Sequence, residues 1–192
     1  MSPRVQGPGA AAVERALAGL PAPEALVSEE QLAALEELDT ATLRTLRARC
    51  ETAEEGVSYA RRVLQGRLDI LRASLVAREE PGTTDLLDAL PTILADAGSP
   101  RGATAARSSR VRVPPDAEAY AAAVDLVLAE PVIEQLDEQP LSESDRLVGV
   151  LLELEAALSA RRRALFERID ALRAELAARY KDGRADVRDL LA

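Results

Sequence analysis

Residues 51–78 read ETAEEGVSYARRVLQGRLDILRASLVAR, and residues 152–179 read LELEAALSARRRALFERIDALRAELAAR. The two stretches are identical at 13 of 28 positions when they are aligned at an offset of 101 residues. Both are rich in Ala, Leu, Glu and Arg, which have high helix propensity. Their apolar residues recur at alternating steps of three and four, the pattern of a helix that packs along a narrow seam. Such a repeat indicates duplication, or fusion of two copies of a dimeric helix.

The helical pattern extends beyond the repeat in both copies. No proline interrupts the first pattern before Pro81, and the second begins near Ser142 and stops at Gly183. We therefore predict long helices at about 40–79 and 142–181. Since a long connection joins them, their simplest packing is an antiparallel coiled coil. The predicted seam residues are Leu43, Leu46, Cys50, Ala53, Val57, Ala60, Leu64 and Leu71 in the first helix, and Leu147, Leu151, Leu154, Leu158, Leu165, Leu172 and Leu176 in the second.

The segments outside the long helices differ from them in composition. Residues 1–27 are rich in Pro, Gly and Ala and are predicted to be mostly disordered, with one short helix near 10–20. A helical domain is predicted over 28–192, starting with a helix at about 29–38 that Ser28 and Gln31 open as a capping box. Short helices are expected after Thr84 and at 116–129, with a flexible linker at about 98–115. The predicted fold class is all-α: an antiparallel coiled coil with additional short helices and a flexible connection.

Composition excludes several classes of protein. The chain has no His, so a Ser-His-Asp triad and the common zinc sites cannot form, and an enzyme is not expected. The single cysteine, Cys50, permits no internal disulfide and is interpreted as a small packing residue. No apolar run approaches the length of a membrane span, and no signal peptide is visible, which predicts a cytoplasmic location. The net charge of −9 argues against direct DNA binding.

A column of polar side chains runs beside the apolar seam in both copies. In the first copy it consists of Glu54, Ser58, Arg61, Gln65 and Asp69. At 100° per residue, these five positions lie within about 80° of arc. The second copy places Glu155, Ser159, Arg162, Phe166 and Asp170 at the same spacing. In an antiparallel pair, the two columns are predicted to face a common ligand from both sides.

The side chains of the column suit a guanine nucleotide. The arginine fork binds phosphate or the O6/N7 edge of guanine, while carboxylates accept from its N1–H and N2–H₂ groups. Arg62 and Arg163 follow the column arginines and are candidate additional contacts. The same spacing is typical of a solvated helix face with i,i+3 and i,i+4 ion pairs, so periodicity alone leaves a purely structural repeat open. Phe166 is either a stacking surface or a core residue.

The spacing E-x3-S-x2-R-x3-Q-x3-D, intact in the first copy, resembles the signature of the RsiG family, actinobacterial anti-sigma factors that bind cyclic di-GMP. The second copy departs from it at Phe166. A bias of 23 Arg to one Lys also suits a GC-rich actinobacterial genome. The resemblance implies that the ten column residues bind cyclic di-GMP, with two molecules per chain held between the helices.

The resemblance also implies a partner and a regulatory role. The ligand-loaded protein would hold the sporulation sigma factor WhiG, a relative of flagellar sigma factors, away from core RNA polymerase and promoter DNA. Two acidic segments, 28–39 and 115–145, hold five and nine acidic residues and no basic ones. They fit a partner with basic surfaces, although solubility alone would also explain them. The remaining alternative for the whole chain is a ligand-free coiled-coil adaptor or scaffold.

Overall fold

The structure, a computed structural model, describes residues 8–79, 113–128 and 140–185, and every regular element within these ranges is helical. The elements are α1 (Pro8–Ala18), α2 (Pro23–Leu26), α3 (Glu29–Ala33), a 3₁₀ turn (Leu35–Glu37), α4 (Thr40–Glu79), α5 (Ala117–Asp125) and α6 (Leu141–Lys181). The two long helices, α4 and α6, pack against each other along their length. The predicted all-α class with a coiled-coil-like pair is therefore confirmed.

Helices α4 and α6 run antiparallel. Arg44, near the start of α4, donates a hydrogen bond to the Tyr180 hydroxyl near the end of α6, while Arg61 contacts Glu155 far from that end. The predicted seam residues are buried, except for Leu147, which is partly buried. Leu68 and Ile169 join the seam as well. The steps of three and four therefore identified the packed side of each helix correctly.

The helix ends follow local capping chemistry. At the start of α3, the backbone N–H of Gln31 donates to Ser28 Oγ and the Ser28 N–H donates to Gln31 Oε1, so the predicted capping box is confirmed. The predicted helix at 29–38 is divided into α3 and the 3₁₀ turn at Ala34, whose backbone is not helical. Helix α6 begins at Leu141, after Pro140, rather than at Ser142. It ends before Gly183, which has a φ of 70°, as a glycine stop requires.

The N-terminal segment is ordered from residue 8 onward: α1 confirms the predicted short helix near 10–20, whereas the rest of the described segment differs from the prediction of disorder. Helices α1 and α2 lie there, and Val13, Ala16, Leu20 and Val27 are buried against the long pair. The physical reason is that these apolar residues lie at helical spacing and cover one side of the coiled coil, so the segment buries enough apolar surface to be held. The composition in Pro and Gly concealed this pattern.

Helix α5 packs against α4 on the side of the long pair that the N-terminal helices also cover. The predicted helix at 116–129 is confirmed with shorter bounds, Ala117–Asp125, and Tyr120 is buried beneath it. The Tyr120 ring lies directly on the backbone of Gly56, where a Cβ atom would overlap the ring carbons. Gly56 is therefore required by close packing, in spite of its cost to helix stability.

Substituting Gly56 by Ala should displace the Tyr120 ring and lower the free energy of unfolding by about 1–3 kcal/mol, as overpacking does. Gly66→Ala is the matched control, because a Cβ at Gly66 meets nothing within 4 Å. That variant should gain about 1 kcal/mol from helix propensity. Urea unfolding measures both values. When Gly56→Ala is made in a Tyr120→Ala background, it should not lower the free energy of unfolding. An equal loss in both backgrounds would contradict the packing explanation.

Some predictions lie outside the described residues. These are the short helix after Thr84, the linker up to residue 112, and the acidic residues of the 115–145 segment at positions 130, 134, 137 and 138. The predicted division into residues 1–27 and 28–192 stays a prediction. Within the first of these segments, the structure shows helices from residue 8 onward.

Candidate functional site

The polar columns lie on the side of the coiled coil that the short helices leave uncovered. Gly56 and Arg67, which contact α5, lie about 160–180° around α4 from the middle of the column. In α6, Arg161 contacts the end of α1 and lies a similar angle away from the second column. The column residues are consequently partly or fully exposed. Within the described residues, the short helices thus cover one face of the helix pair, and the motif lies on the other, which is called the open face below.

Two ion pairs cross the seam between the columns, and each joins residues of different motif copies. Arg162 Nε lies 2.8 Å from Glu54 Oε1, and Arg61 Nη1 lies 3.2 Å from Glu155 Oε1. Glutamate and arginine are seven residues apart in both copies, so an antiparallel register brings both pairs together at once. The pairs are therefore related by the pseudo-two-fold symmetry that the repeat predicts.

The serines of the motif orient these glutamates. Ser58 Oγ donates to Glu54 Oε1 at 2.6 Å, and Ser159 Oγ donates to Glu155 Oε1 at 3.0 Å. Each glutamate Oε1 consequently accepts from a serine one turn along its own helix and from an arginine of the other helix. A hydroxyl and a guanidinium on one carboxylate fix its position beside the open face.

The fourth motif position makes the two halves of the site unequal. The Arg162 guanidinium lies over the Phe166 ring, with its carbon 4.8 Å from the ring centroid. The ring is 36% exposed, so Phe166 is a surface residue rather than a core residue. Gln65 occupies the corresponding position one turn beyond Arg61 and is partly exposed.

The structure therefore assembles two half-sites, each from both helices. The Phe166 half-site comprises Glu54, Ser58, Arg162 and Phe166, and the Gln65 half-site comprises Glu155, Ser159, Arg61 and Gln65. Sequence analysis grouped these residues by motif copy, because the exchange between copies depends on the helix register. Serine, glutamate and arginine of both copies are brought together as one cluster across the seam.

The remaining predicted residues lie outside this cluster. Asp69 and Asp170 are exposed, and Asp170 lies 3.9 Å from Arg173 of its own helix. Arg62 and Arg163 are exposed side chains next to the column arginines. The two aspartates and these two arginines are thus available to a ligand on the open face, but they make no contact with the Glu–Arg cluster that the structure describes.

A second set of arginines, which lies outside the predicted site, holds the short helices in place. Arg168 Nε donates to the Val27 carbonyl at 3.0 Å, and Arg67 Nη1 donates to the Leu128 carbonyl at 2.5 Å. The offset of 101 that relates Arg67 to Arg168 also relates Val27 to Leu128. The repeat therefore includes the segments that precede the long helices, and this pair of matching arginines is structural.

Two further arginines of α6 act in the same way at other helix ends. Arg161 Nη1 donates to the carbonyls of Leu17, in the last turn of α1, and of Leu20, just after it, at 2.8 and 3.0 Å. Arg179 Nη2 donates to those of Leu35 and Glu36 at 2.9 and 3.1 Å. A guanidinium satisfies the free carbonyls that a helix leaves at its C-terminal end. Burial lowers the pKa of Arg161, an effect that nearby Glu24 opposes. The signal for these roles was their shared angle around α6, opposite the column.

Cys50 is buried in the seam beside Leu46 and Leu172, as predicted. Burial raises the pKa of its thiol, with the field of Arg168 opposing that effect. The thiol therefore stays protonated at neutral pH and behaves as a small apolar residue. The described ranges contain no cluster of acidic or cysteine residues able to hold a metal ion, and none of their helices is long and apolar enough to cross a membrane.

A duplicated antiparallel helix pair, with a reciprocal Glu–Arg cluster on one face, defines this protein as a helical protein of the coiled-coil type. A family model described as RsiG-like matches residues 29–94 and 129–192, more than half of the chain, and each stretch contains one motif copy. The chain belongs to the RsiG-like family, a regulatory family of anti-sigma factors. A search of curated proteins finds no match.

Proposed function

We propose that this protein sequesters a WhiG-like sigma factor, of the sporulation and flagellar type, when two molecules of cyclic di-GMP bind to it, one at each half-site. The observation that carries the proposal is the reciprocal pairing of Arg61 with Glu155 and of Arg162 with Glu54 on the uncovered face. Family membership supports a sigma factor as the partner in general. The identity of the nucleotide and that of the particular sigma factor are proposed here.

The donor set of the half-sites fits the chemistry of the nucleotide. Each half-site offers one guanidinium, which binds phosphate or the O6/N7 edge of guanine in a bidentate manner. Each also offers one carboxylate able to accept from the Watson–Crick edge of guanine, and one hydroxyl. Cyclic di-GMP is itself two-fold symmetric, with two guanines and two phosphates. A pseudo-two-fold cluster built from two motif copies presents the same glutamate, serine and arginine to each of two such molecules.

A nucleotide can replace the cross-seam pairs at little cost. The arginine side chains of the two pairs are 28% and 37% exposed, and the glutamates are 26% and 16% exposed. Ion pairs with this exposure contribute about 1 kcal/mol or less. A bidentate arginine contact to guanine or phosphate contributes about 1–3 kcal/mol. Exchanging the glutamate contact for a nucleotide contact therefore favours binding, while the glutamates become free to accept from guanine.

The sigma factor is proposed to bind the acidic N-terminal segment. Within 28–39, Glu29 pairs with Arg168 at 2.6 Å, and Asp39 accepts from the Thr42 N–H at 2.7 Å. Those two acids therefore contribute to the fold. Glu30, Glu36 and Glu37 are exposed and supply negative charge that would steer a basic partner surface. Hydrogen bonding by Ser28 and the backbone lowers the pKa of Glu30, so its charge is present at neutral pH.

Calorimetric titration with cyclic di-GMP tests the proposal, with GMP and cyclic di-AMP as controls. We expect saturable binding of cyclic di-GMP alone among the three. Since the ligand is proposed to favour the sigma-binding form, a WhiG-like sigma factor should tighten nucleotide binding by the same factor as nucleotide tightens sigma binding. No binding of cyclic di-GMP with or without sigma would contradict the proposal and favour a coiled-coil scaffold.

A further inference from the structure

The strongest difference between the two halves of the cluster is the residue that contacts the arginine from its own helix. In the Phe166 half-site, Arg162 is held by Glu54 at 2.8 Å and by the aromatic ring at 4.8 Å. In the Gln65 half-site, Arg61 is held by Glu155 at the longer distance of 3.2 Å. Its Nε is buried and has no hydrogen-bond partner. The first arginine is fixed on two sides and the second on one.

We propose that Phe166 makes its half-site a purine-stacking site that binds a guanine base of the first cyclic di-GMP molecule, so that the two halves of the cluster differ in affinity for the nucleotide. This inference rests on the proposed function. The Phe166 ring orders the Arg162 fork by stacking beneath it, and its exposed part offers an apolar plane next to that fork. A base that pairs with Arg162 can therefore stack on phenylalanine at the same time.

The energetics favour this order of filling. An arginine already held in one orientation loses less side-chain entropy when it binds a ligand. Stacking of a base on an aromatic side chain adds about 1–3 kcal/mol, which is about 5- to 150-fold in affinity. Gln65 offers one further hydrogen bond but no ring plane. We therefore expect binding to the Phe166 half-site to be about tenfold tighter than binding to the Gln65 half-site.

Two matched substitutions test the role of the ring. Phe166→Leu retains apolar volume on the helix but removes the ring plane, and it should weaken the tighter binding step of cyclic di-GMP about tenfold. Phe166→Tyr retains the ring and should leave that step within about twofold of its original affinity. Gln65→Phe is the reciprocal control, because it gives the second half-site a ring and should tighten the weaker step. Calorimetry resolves the two steps, and thermal unfolding verifies that each variant is folded.

The outcomes separate this inference from the proposed function. Two binding steps whose affinities are unchanged in Phe166→Leu would overturn the inference and leave the proposed function intact. Equal affinity at the two half-sites of the original chain would do the same. Failure of the original chain to bind cyclic di-GMP, with or without sigma, would overturn both.

Discussion

Replacing Arg61 and Arg162 together with Ala is expected to reduce the affinity for cyclic di-GMP by about 100-fold or more. Each arginine is the only guanidinium of its half-site, and each bidentate contact that it makes contributes about 1–3 kcal/mol. The two losses affect both halves of the cluster, so no intact half-site remains. Calorimetry of the double variant measures the loss directly.

The fold should tolerate the same double substitution. Both arginines are partly exposed, and the pairs that they form contribute about 1 kcal/mol or less. A matched control is Arg49→Ala with Arg146→Ala, which removes one exposed arginine from each long helix, away from the column. The control changes the net charge by the same amount but leaves the column intact, so it should bind nucleotide normally. If it lost affinity as strongly as the site variant, general electrostatic attraction would be the cause instead of specific contacts.

Lysine substitutions separate charge from geometry at the same two positions. Arg61→Lys with Arg162→Lys preserves the charge of the cluster but loses the planar fork and the ability to stack on Phe166. We expect its affinity to lie nearer to that of the alanine variant than to that of the original chain. An affinity within threefold of the original would show that point charge suffices for binding.

The sequence predicted the helix pair well because its signal is local and periodic. Leu43, Val57, Leu64, Leu158 and Leu172 follow steps of three and four, and all are buried in the seam. Such spacing indicates which side of a helix is packed, whatever element lies against that side. The ends of α4 and α6 were predicted to within about a residue because Pro81 and Gly183 interrupt helices for backbone reasons that operate locally.

The composition of the half-sites was harder to predict, because it depends on the register between the helices. The column angle placed Glu54 and Arg61 on one face of α4, as a pair from one motif copy. In the structure, each of them instead contacts a residue of the other copy, Arg162 and Glu155. A shift of one helical turn would leave the angles unchanged and alter every one of these pairs. Periodicity contains no information on that shift.

The repeat did not predict what the structural arginines contact, although the column angle left them outside the predicted site. Arg61 and Arg67 match their counterparts in the second copy equally well, since duplication preserves both kinds of residue. Only the position of the short helices shows that Arg67 contacts the Leu128 carbonyl on the covered side. The N-terminal segment on this side was predicted to be mostly disordered apart from one short helix near 10–20, and its packing against the long pair was not predicted, so the acceptors for Arg168 and Arg161 were not identified.

Arg168→Ala should be strongly destabilising, lowering the free energy of unfolding by about 3 kcal/mol. Arg168 is only 4% exposed, and it donates to the Val27 carbonyl, the Ala164 carbonyl and Glu29 Oε1. Removing it leaves a buried carbonyl without its donor and opens a space beneath α2. Urea unfolding measures the change.

The repeat offers a direct control for this prediction. Arg163 lies five residues earlier on α6, is exposed, and is also repeated in the first copy, so Arg163→Ala should change stability by less than about 0.5 kcal/mol. Arg168→Met, which keeps the aliphatic stem, should recover the packing but not the hydrogen bonds. If Arg168→Ala were no more destabilising than Arg163→Ala, the hydrogen bond from Arg168 to the Val27 carbonyl would contribute nothing to stability. Folded Arg168→Ala protein should still bind cyclic di-GMP, because Arg168 acts on the covered face while Arg162, six residues away, acts on the open one.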